Sequence, residues 1–497
     1  MRERLNTIRE SARIADLYGL LALLITLHYL VLFAERYLIW NGHEPLFLAL
    51  RVLHAALIML LLLLFVLKLR RGFAPELWLL AAYCAWVLIT RVINRDFTLF
   101  ASLYFSAVCI GIFAAGAYLS PERRRLLLDW LCGAAGGYLF VLSILGLLVW
   151  FGGEDAYPGL ARFINTNPLF AVQDIEFFQT VHNMSAAWFA VAFFLLAYEW
   201  VACKNRLWRI PIAVNMALML VMISLQHCRS IQVATSVGVG MLAVLAVLPR
   251  LQEKAMPVRV GTIVIVAALG LAVCFKGTGL CADVFAKGMQ VSQSDVREYE
   301  AFQELIKSSE QEAAASDEGA EEAEAVEEAE VAEEAEAVTE QIEGSDARSF
   351  LHDALTLTER TNIWQAALRL AKEDRKIALF GQAEEGMMDA VNAHGDYVEV
   401  KQHTHNMVIQ ALVLTGIPGA LLLLAFAVLQ LVRMVRFYFA PPENAETADK
   451  VLVVFLAVLL LYGMAEVLLS RLVGFASLSF LIVSGIFTEI ERTAFQK

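Results

Sequence analysis

The sequence predicts an all-α integral membrane protein of about twelve transmembrane helices, with one large outer loop between spans 9 and 10. Three observations predict it. Apolar residues make up 59% of the chain and the mean hydropathy is +0.61, above the range of ordinary globular domains. Apolar runs of about 18 residues or more, long enough to cross a bilayer, recur along the chain. Basic residues gather in every second connection, as they do in loops retained in the cytoplasm.

Taken in order, the expected spans lie near 16–35, 46–68, 74–92, 97–119, 126–151, 183–202, 209–225, 230–248 and 258–275, then 406–432, 451–469 and 472–489. Residues 1–275 thus hold spans 1–9, residues 276–405 form the outer loop, and residues 406–497 hold spans 10–12. Arg2, Arg4, Arg9 and Arg13 precede a long span with no small-residue cleavage site, so no cleavable signal peptide is expected. With the N-terminus inside, the inner loops collect Lys68, Arg70 and Arg71, then Arg123, Arg124 and Arg125, then Lys204, Arg206 and Arg209. Arg250, Lys254 and Arg259 follow, then Arg433 and Arg436. The short outer loops hold only scattered arginines. This alternation places both termini in the cytoplasm and residues 276–405 on the outer face.

The net charge of −12 is concentrated in one place. Residues 308–347 are densely acidic and contain no Lys or Arg, so the rest of the chain is net positive. Within that stretch three near-copies of a Glu-Glu-Ala-Glu hexapeptide occupy 321–326, 327–332 and 333–338. Such a segment cannot bury enough apolar surface to fold alone. The seven cysteines are scattered without zinc spacing. Cys228, Cys274 and Cys281 lie nearer the oxidising face, where one disulfide can form.

The outer loop carries the polar groups of interest. Over 358–375 the apolar positions Ile363, Ala366, Ala367 and Leu370 recur at helical spacing, predicting an amphipathic helix along the membrane surface. Arg360 sits in its first turn, where a basic residue opposes the helix dipole, and Trp364 is one turn on. Arg229 lies in a short outer turn between two long spans. There it can snorkel to head groups, or grip the oxygens of a diphosphate through paired hydrogen bonds. His403 and His405 form an H-x-H pair just before span 10. The pair can chelate a metal with a third ligand such as Asp396 or Glu399, or a neutral histidine can act as general base. The outer loop 152–182 adds Arg162, a D-x-E at Asp174 and Glu176, and His182 with Asn183 at its end.

Together these features resemble the O-antigen ligase and polymerase superfamily of bacterial membrane proteins. The resemblance covers the plan of spans and one late outer loop. It is sharpest from Arg360 and Trp364, through His405-Asn406, to Gly416-Ile417-Pro418-Gly419, with shorter matches at Cys228-Arg229-Ser230 and around His182-Asn183. Two departures are the acidic insert and Gly381-Gln-Ala-Glu-Glu-Gly386, where the family often carries Gly-x-Gly.

The resemblance implies a glycosyltransferase in the bacterial cytoplasmic membrane with its active site on the outer face. Its implied donor is a glycan on undecaprenyl diphosphate, and its acceptor a sugar hydroxyl of a glycolipid or glycopolymer. His405 would be the general base, with Arg229 and Arg360 stabilising the departing diphosphate, so that neither cofactor nor metal is expected and the anomeric centre inverts. His403, Asn406, Arg162, His182, Asn183 and Trp364 would contact substrate, and no nucleic acid is expected. A polymerase joining lipid-linked repeat units fits the same residues. A transporter of lipid-linked sugars is the non-enzymatic rival. It should carry charge at mid-membrane depth, where only Glu466 stands out in this sequence.

Overall fold

The computed structural model describes residues 74–96, 98–152, 182–225, 228–251, 256–288, 358–395, 403–442, 445–469 and 475–495, with scattered helical residues between 45 and 59. In chain order the helices are α1 (Pro75–Ile93), α2 (Leu99–Tyr118), α3 (Pro121–Gly152), α4 (His182–Ala202), α5 (Arg206–Leu225), α6 (Arg229–Leu251) and α7 (Met256–Gly288). There follow α8 (Thr358–Glu373), α9 (Arg375–Phe380), α10 (Met387–Asn392), α11 (Met407–Phe439), α12 (Thr447–Ala465) and α13 (Phe475–Phe495). No strand occurs among the described residues. Eight of these helices are long and apolar enough to cross a membrane: α1, α2, α3, α5, α6, α7, α11 and α12. The first expected span, 16–35, and most of the second, 46–68, lie outside the described residues, as does the acidic insert.

The chain divides into two compact units. One is Asp283–Asn362, described only where it supplies the last residues of α7 and the first turn of α8. The other, Met1–Ala282 with Ile363–Lys497, holds the helical body. There α2 packs along α13, α1 along α11, and α12 lies between α4 and α6. Small residues permit these approaches. A Cβ on Gly116 of α2 would meet the Ile482 carbonyl of α13 at 2.5 Å, so only glycine lets the two backbones touch. Across the bundle, Phe194 of α4 stacks on Phe455 of α12, and the Tyr438 hydroxyl of α11 donates to the Met241 carbonyl of α6 at 2.8 Å.

Among the described residues, ion pairs gather at the two ends of this bundle. At one end Arg433 pairs with the fully buried Glu76 and, at 3.6 Å, with Glu491, while Arg125 joins Glu199 at 2.8 Å. At the other end lie the turn after α1, helices α9 and α10, the segment 403–406 and the turn after α12. Apolar middles with paired charges at the ends are what a bilayer requires.

Two expectations are corrected. The apolar stripe of α8 faces protein: Ile363, Ala366, Ala367 and Leu370 are buried with Ile377, Met387, Val391 and Val413, so the helix forms a cap with α9 and α10 on the start of α11. Cys274 carries a free thiol, so it takes no part in the disulfide expected near the outer face. The Cys281 side chain lies outside the described residues.

Candidate active site

An asparagine before a long apolar run is a helix start signal, and Asn406 acts as one. Its Oδ1 accepts from the Val408 and Ile409 backbone N–H groups at 2.9 and 3.1 Å. Its Nδ2 donates to the Met464 carbonyl at the end of α12, 2.8 Å away. One side chain therefore caps α11 and ties it to α12. Thr404 is fully buried: its N–H and its Oγ1 both donate to Gln410 Oε1 at 3.0 Å. Its carbonyl accepts from Trp364 Nε1 at 2.8 Å, which fixes the segment to α8. Between these two anchored residues His405 takes a left-handed backbone, φ 52°, a conformation uncommon outside glycine.

That ring meets Glu466. α12 ends at Ala465, and Glu466 leaves it in an extended conformation, so this carboxylate stands at the helix terminus rather than at mid-span. Its two oxygens lie 3.2 Å from His405 Nδ1. His403 Nε2 is 3.9 Å from the same carboxylate, and His403 Nδ1 accepts from the His405 N–H at 3.3 Å. The two imidazole rings are 4.2 Å apart, centre to centre. Glu466 is 3% exposed, whereas the histidine side chains are 23% and 21% exposed. A buried carboxylate thus holds two partly exposed histidines. With its proton on Nδ1, hydrogen-bonded to Glu466, His405 presents the Nε2 lone pair as a proton acceptor.

Of the residues singled out from sequence, the structure brings together His405, His403, Asn406 and Trp364. Glu466 was missed as a partner, although an acidic residue at the end of the apolar run 451–465 was its signal. Arg229 opens α6, and His182 and Asn183 open α4, but their side chains are not described. Arg360 lies half-buried in the first turn of α8. Arg162, Asp174, Glu176, Asp396 and Glu399 lie outside the described residues.

Residues 214–424 match the family model described as O-antigen ligase. The match supports the O-antigen ligase and polymerase superfamily. No curated protein matches the chain. The O-antigen ligase match begins within α5 and ends within α11. It contains Arg229, Arg360, Trp364 and His403 to Asn406, and it stops before Glu466.

The Gly416-Ile417-Pro418-Gly419 motif within the matched region breaks α11. Gly416 has φ 70° and ψ −177°, and Pro418 has no N–H to return to Leu414. Carbonyls freed by the break find outside donors: Gln382 N–H reaches Val413 O at 2.7 Å, and Trp86 Nε1 reaches Thr415 O at 2.8 Å. The break makes room for the end of α9, where Gly381 also has positive φ, 69°. A Cβ on Gly416 would lie 2.5 Å from the Leu379 carbonyl.

Beside this contact, Asn94 Nδ2 donates to the Phe380 and Gly381 carbonyls at 3.1 and 3.2 Å. Arg91 pairs with Asp96 and lies 3.6 Å from Glu384, with each side chain under a tenth exposed. Burial pushes the Asp96 carboxyl up. The backbone N–H groups of Glu384 and Thr98, at 2.8 and 2.9 Å, and the Arg91 cation more than offset this and hold it below its ordinary value. A group with a depressed folded pKa stabilises fully above its unfolded value, about 3.9, and loses that contribution as pH falls through the folded value. The detergent-solubilised protein is therefore expected to melt at a lower temperature at pH 3 than at pH 5. Asp96→Asn should melt lower than wild type at pH 5, with a smaller further drop at pH 3. An equal drop in both proteins would remove Asp96 as the cause.

A groove of about 630 Å³ opens between α6 and α7 on one side and α11 and α12 on the other. Its wall is almost entirely apolar, with Met241, Val244, Ile263, Leu424, Val428 and Val453 among the lining residues. Met407 and Met464 line it too, each two residues from a member of the His405–Glu466 pair.

Proposed function

We propose that this protein is a glycosyltransferase of the O-antigen ligase type, moving a glycan from undecaprenyl diphosphate to a sugar hydroxyl at the outer face of the bacterial cytoplasmic membrane. The single observation that carries the reading is a buried carboxylate bonded to a partly exposed histidine beside an apolar groove. His405 Nε2 takes the acceptor hydroxyl proton as the new glycosidic bond forms, and Glu466 stabilises the imidazolium through Nδ1–H. The bond from the anomeric carbon to the diphosphate breaks, and the leaving group takes up negative charge. Arg229 and Arg360 are assigned to that charge, which fixed cations stabilise best where water is excluded. The groove receives the polyprenyl chain from the lipid phase, as apolar lining demands. Attack from the face opposite the diphosphate inverts the anomeric centre. Twelve spans, both termini inside and a metal-free reaction complete the proposal.

A polymerase would use the same chemistry with a second lipid-linked repeat as acceptor. The transporter reading is disfavoured, because Glu466 stands at a helix terminus rather than at mid-depth. The test is transfer of a lipid-linked glycan in membranes carrying wild type, His405→Ala or Arg229→Ala, with and without EDTA. Loss of transfer in both variants and indifference to EDTA support the reading. Full transfer in His405→Ala removes the proposed base. Transfer abolished by EDTA removes the metal-free mechanism.

A further inference from the structure

One ring nitrogen of His403, one of His405 and a Glu466 oxygen all lie within 4.8 Å of one another. A tetrahedral zinc ion with ligands at about 2.1 Å needs ligand atoms about 3.4 Å apart. The distances from Glu466 to His405 and to His403, 3.2 and 3.9 Å, bracket that value. Two imidazoles and one carboxylate form an established three-ligand set for zinc, with water in the fourth position.

We propose that His403, His405 and Glu466 form a binding site for a divalent transition-metal ion of the zinc type, and that the ion switches off the proposed transfer reaction. The site follows from geometry, while the switch rests on the function proposed above. A neutral imidazole carries one proton on two nitrogens. In the metal-free protein the proton on Nδ1 faces Glu466 and Nε2 carries the lone pair. A metal on Nδ1 obliges the proton to sit on Nε2, with no net proton released, and the base has no lone pair to offer. His403 undergoes the same exchange and gives up the long bond from the His405 N–H, 3.3 Å. Metal and acceptor hydroxyl therefore exclude one another at this site.

Zinc binding to the purified full-length protein in lipid nanodiscs would be measured by competition with a chromophoric zinc chelator. Wild type is expected to bind zinc, and His403→Ala and Glu466→Gln should each weaken it by at least about tenfold. His394→Ala, which alters a histidine 3.5 Å from Glu373, should leave it unchanged. Glu466→Gln keeps the side-chain shape, so it reports on the site even where His403→Ala fails to fold. Wild-type transfer should fall as zinc fills the site and return on adding EDTA. Absence of zinc binding, or binding equally tight in both site variants, overturns the site. Stimulation of transfer by zinc overturns the switch. Zinc binding as expected in a protein that transfers no glycan under any condition refutes the transferase reading and leaves the site standing.

Discussion

Glu466→Gln is expected to lower the rate of glycan transfer by about 10²- to 10⁴-fold while leaving the fold intact. Glutamine has nearly the same volume, so the buried position beside His405 stays filled. What changes is the proton. A carboxylate only accepts, and it holds the His405 tautomer that has its hydrogen on Nδ1. A glutamine amide can also donate, and donation to Nδ1 stabilises the opposite tautomer, in which Nε2 already carries a hydrogen. Glu466→Asp should retain more activity than Glu466→Gln, because the charge survives and only the reach shortens. The measurement is initial rate of transfer alongside a thermal melt. An unimpaired rate in Glu466→Gln with an unchanged melt would show that His405 works without this carboxylate.

Gly416→Ala is expected to have the largest effect on stability. Its φ of 70° with ψ −177° falls in a region reserved almost wholly for glycine, at a cost of about 1–3 kcal/mol for any other residue. A Cβ there would also press on the carbonyl of Leu379, so α9 would have to leave α11. The Gln382-to-Val413 bond and the packing of Ile377 depend on that contact. Together these losses are on the order of 3 kcal/mol or more, a large part of the roughly 5–15 kcal/mol that holds a typical domain. Gly386→Ala provides the contrast. Gly386 also has positive φ, 78°, but in the ordinary left-handed region, and a Cβ there meets only an Asp389 oxygen at 4.0 Å. Its cost should be about 1–2 kcal/mol. Comparable loss of thermal stability in the two variants would show that the close backbone approach contributes little.

These residues also show what could be read from the chain. Hydropathy alone indicated the long helices, because a bilayer imposes length and polarity on every span. The stripe Ile363, Ala366, Ala367 and Leu370 was legible as a buried helix face, since periodicity reports burial; what covers that face is decided by residues further along the chain. His405-Asn406 stood out through two polar residues at the edge of an apolar run. The family resemblance assigns Asn406 to substrate; its position before α11 also carries the capping signal, and its side chain serves that cap. In the sequence Glu466 is an isolated charge. Its pairing with His405 spans 61 positions and exists only once α11 and α12 lie side by side. Gly416 and Pro418 signalled a break inside span 10, but the helix end that fills the break, at Phe380 and Gly381, could not be deduced from either residue.

The apolar groove between α6, α7, α11 and α12 bears on how such an enzyme would be assayed. A donor held there arrives by lateral diffusion, so the concentration it presents is a mole fraction of the lipid phase rather than a quantity per litre. Adding detergent or inert phospholipid at constant donor would dilute the donor in that two-dimensional solvent and slow the reaction, with no change in the protein. Apparent saturation constants would then follow the ratio of donor to total amphiphile. Rates from different preparations would be comparable only when expressed on that surface scale.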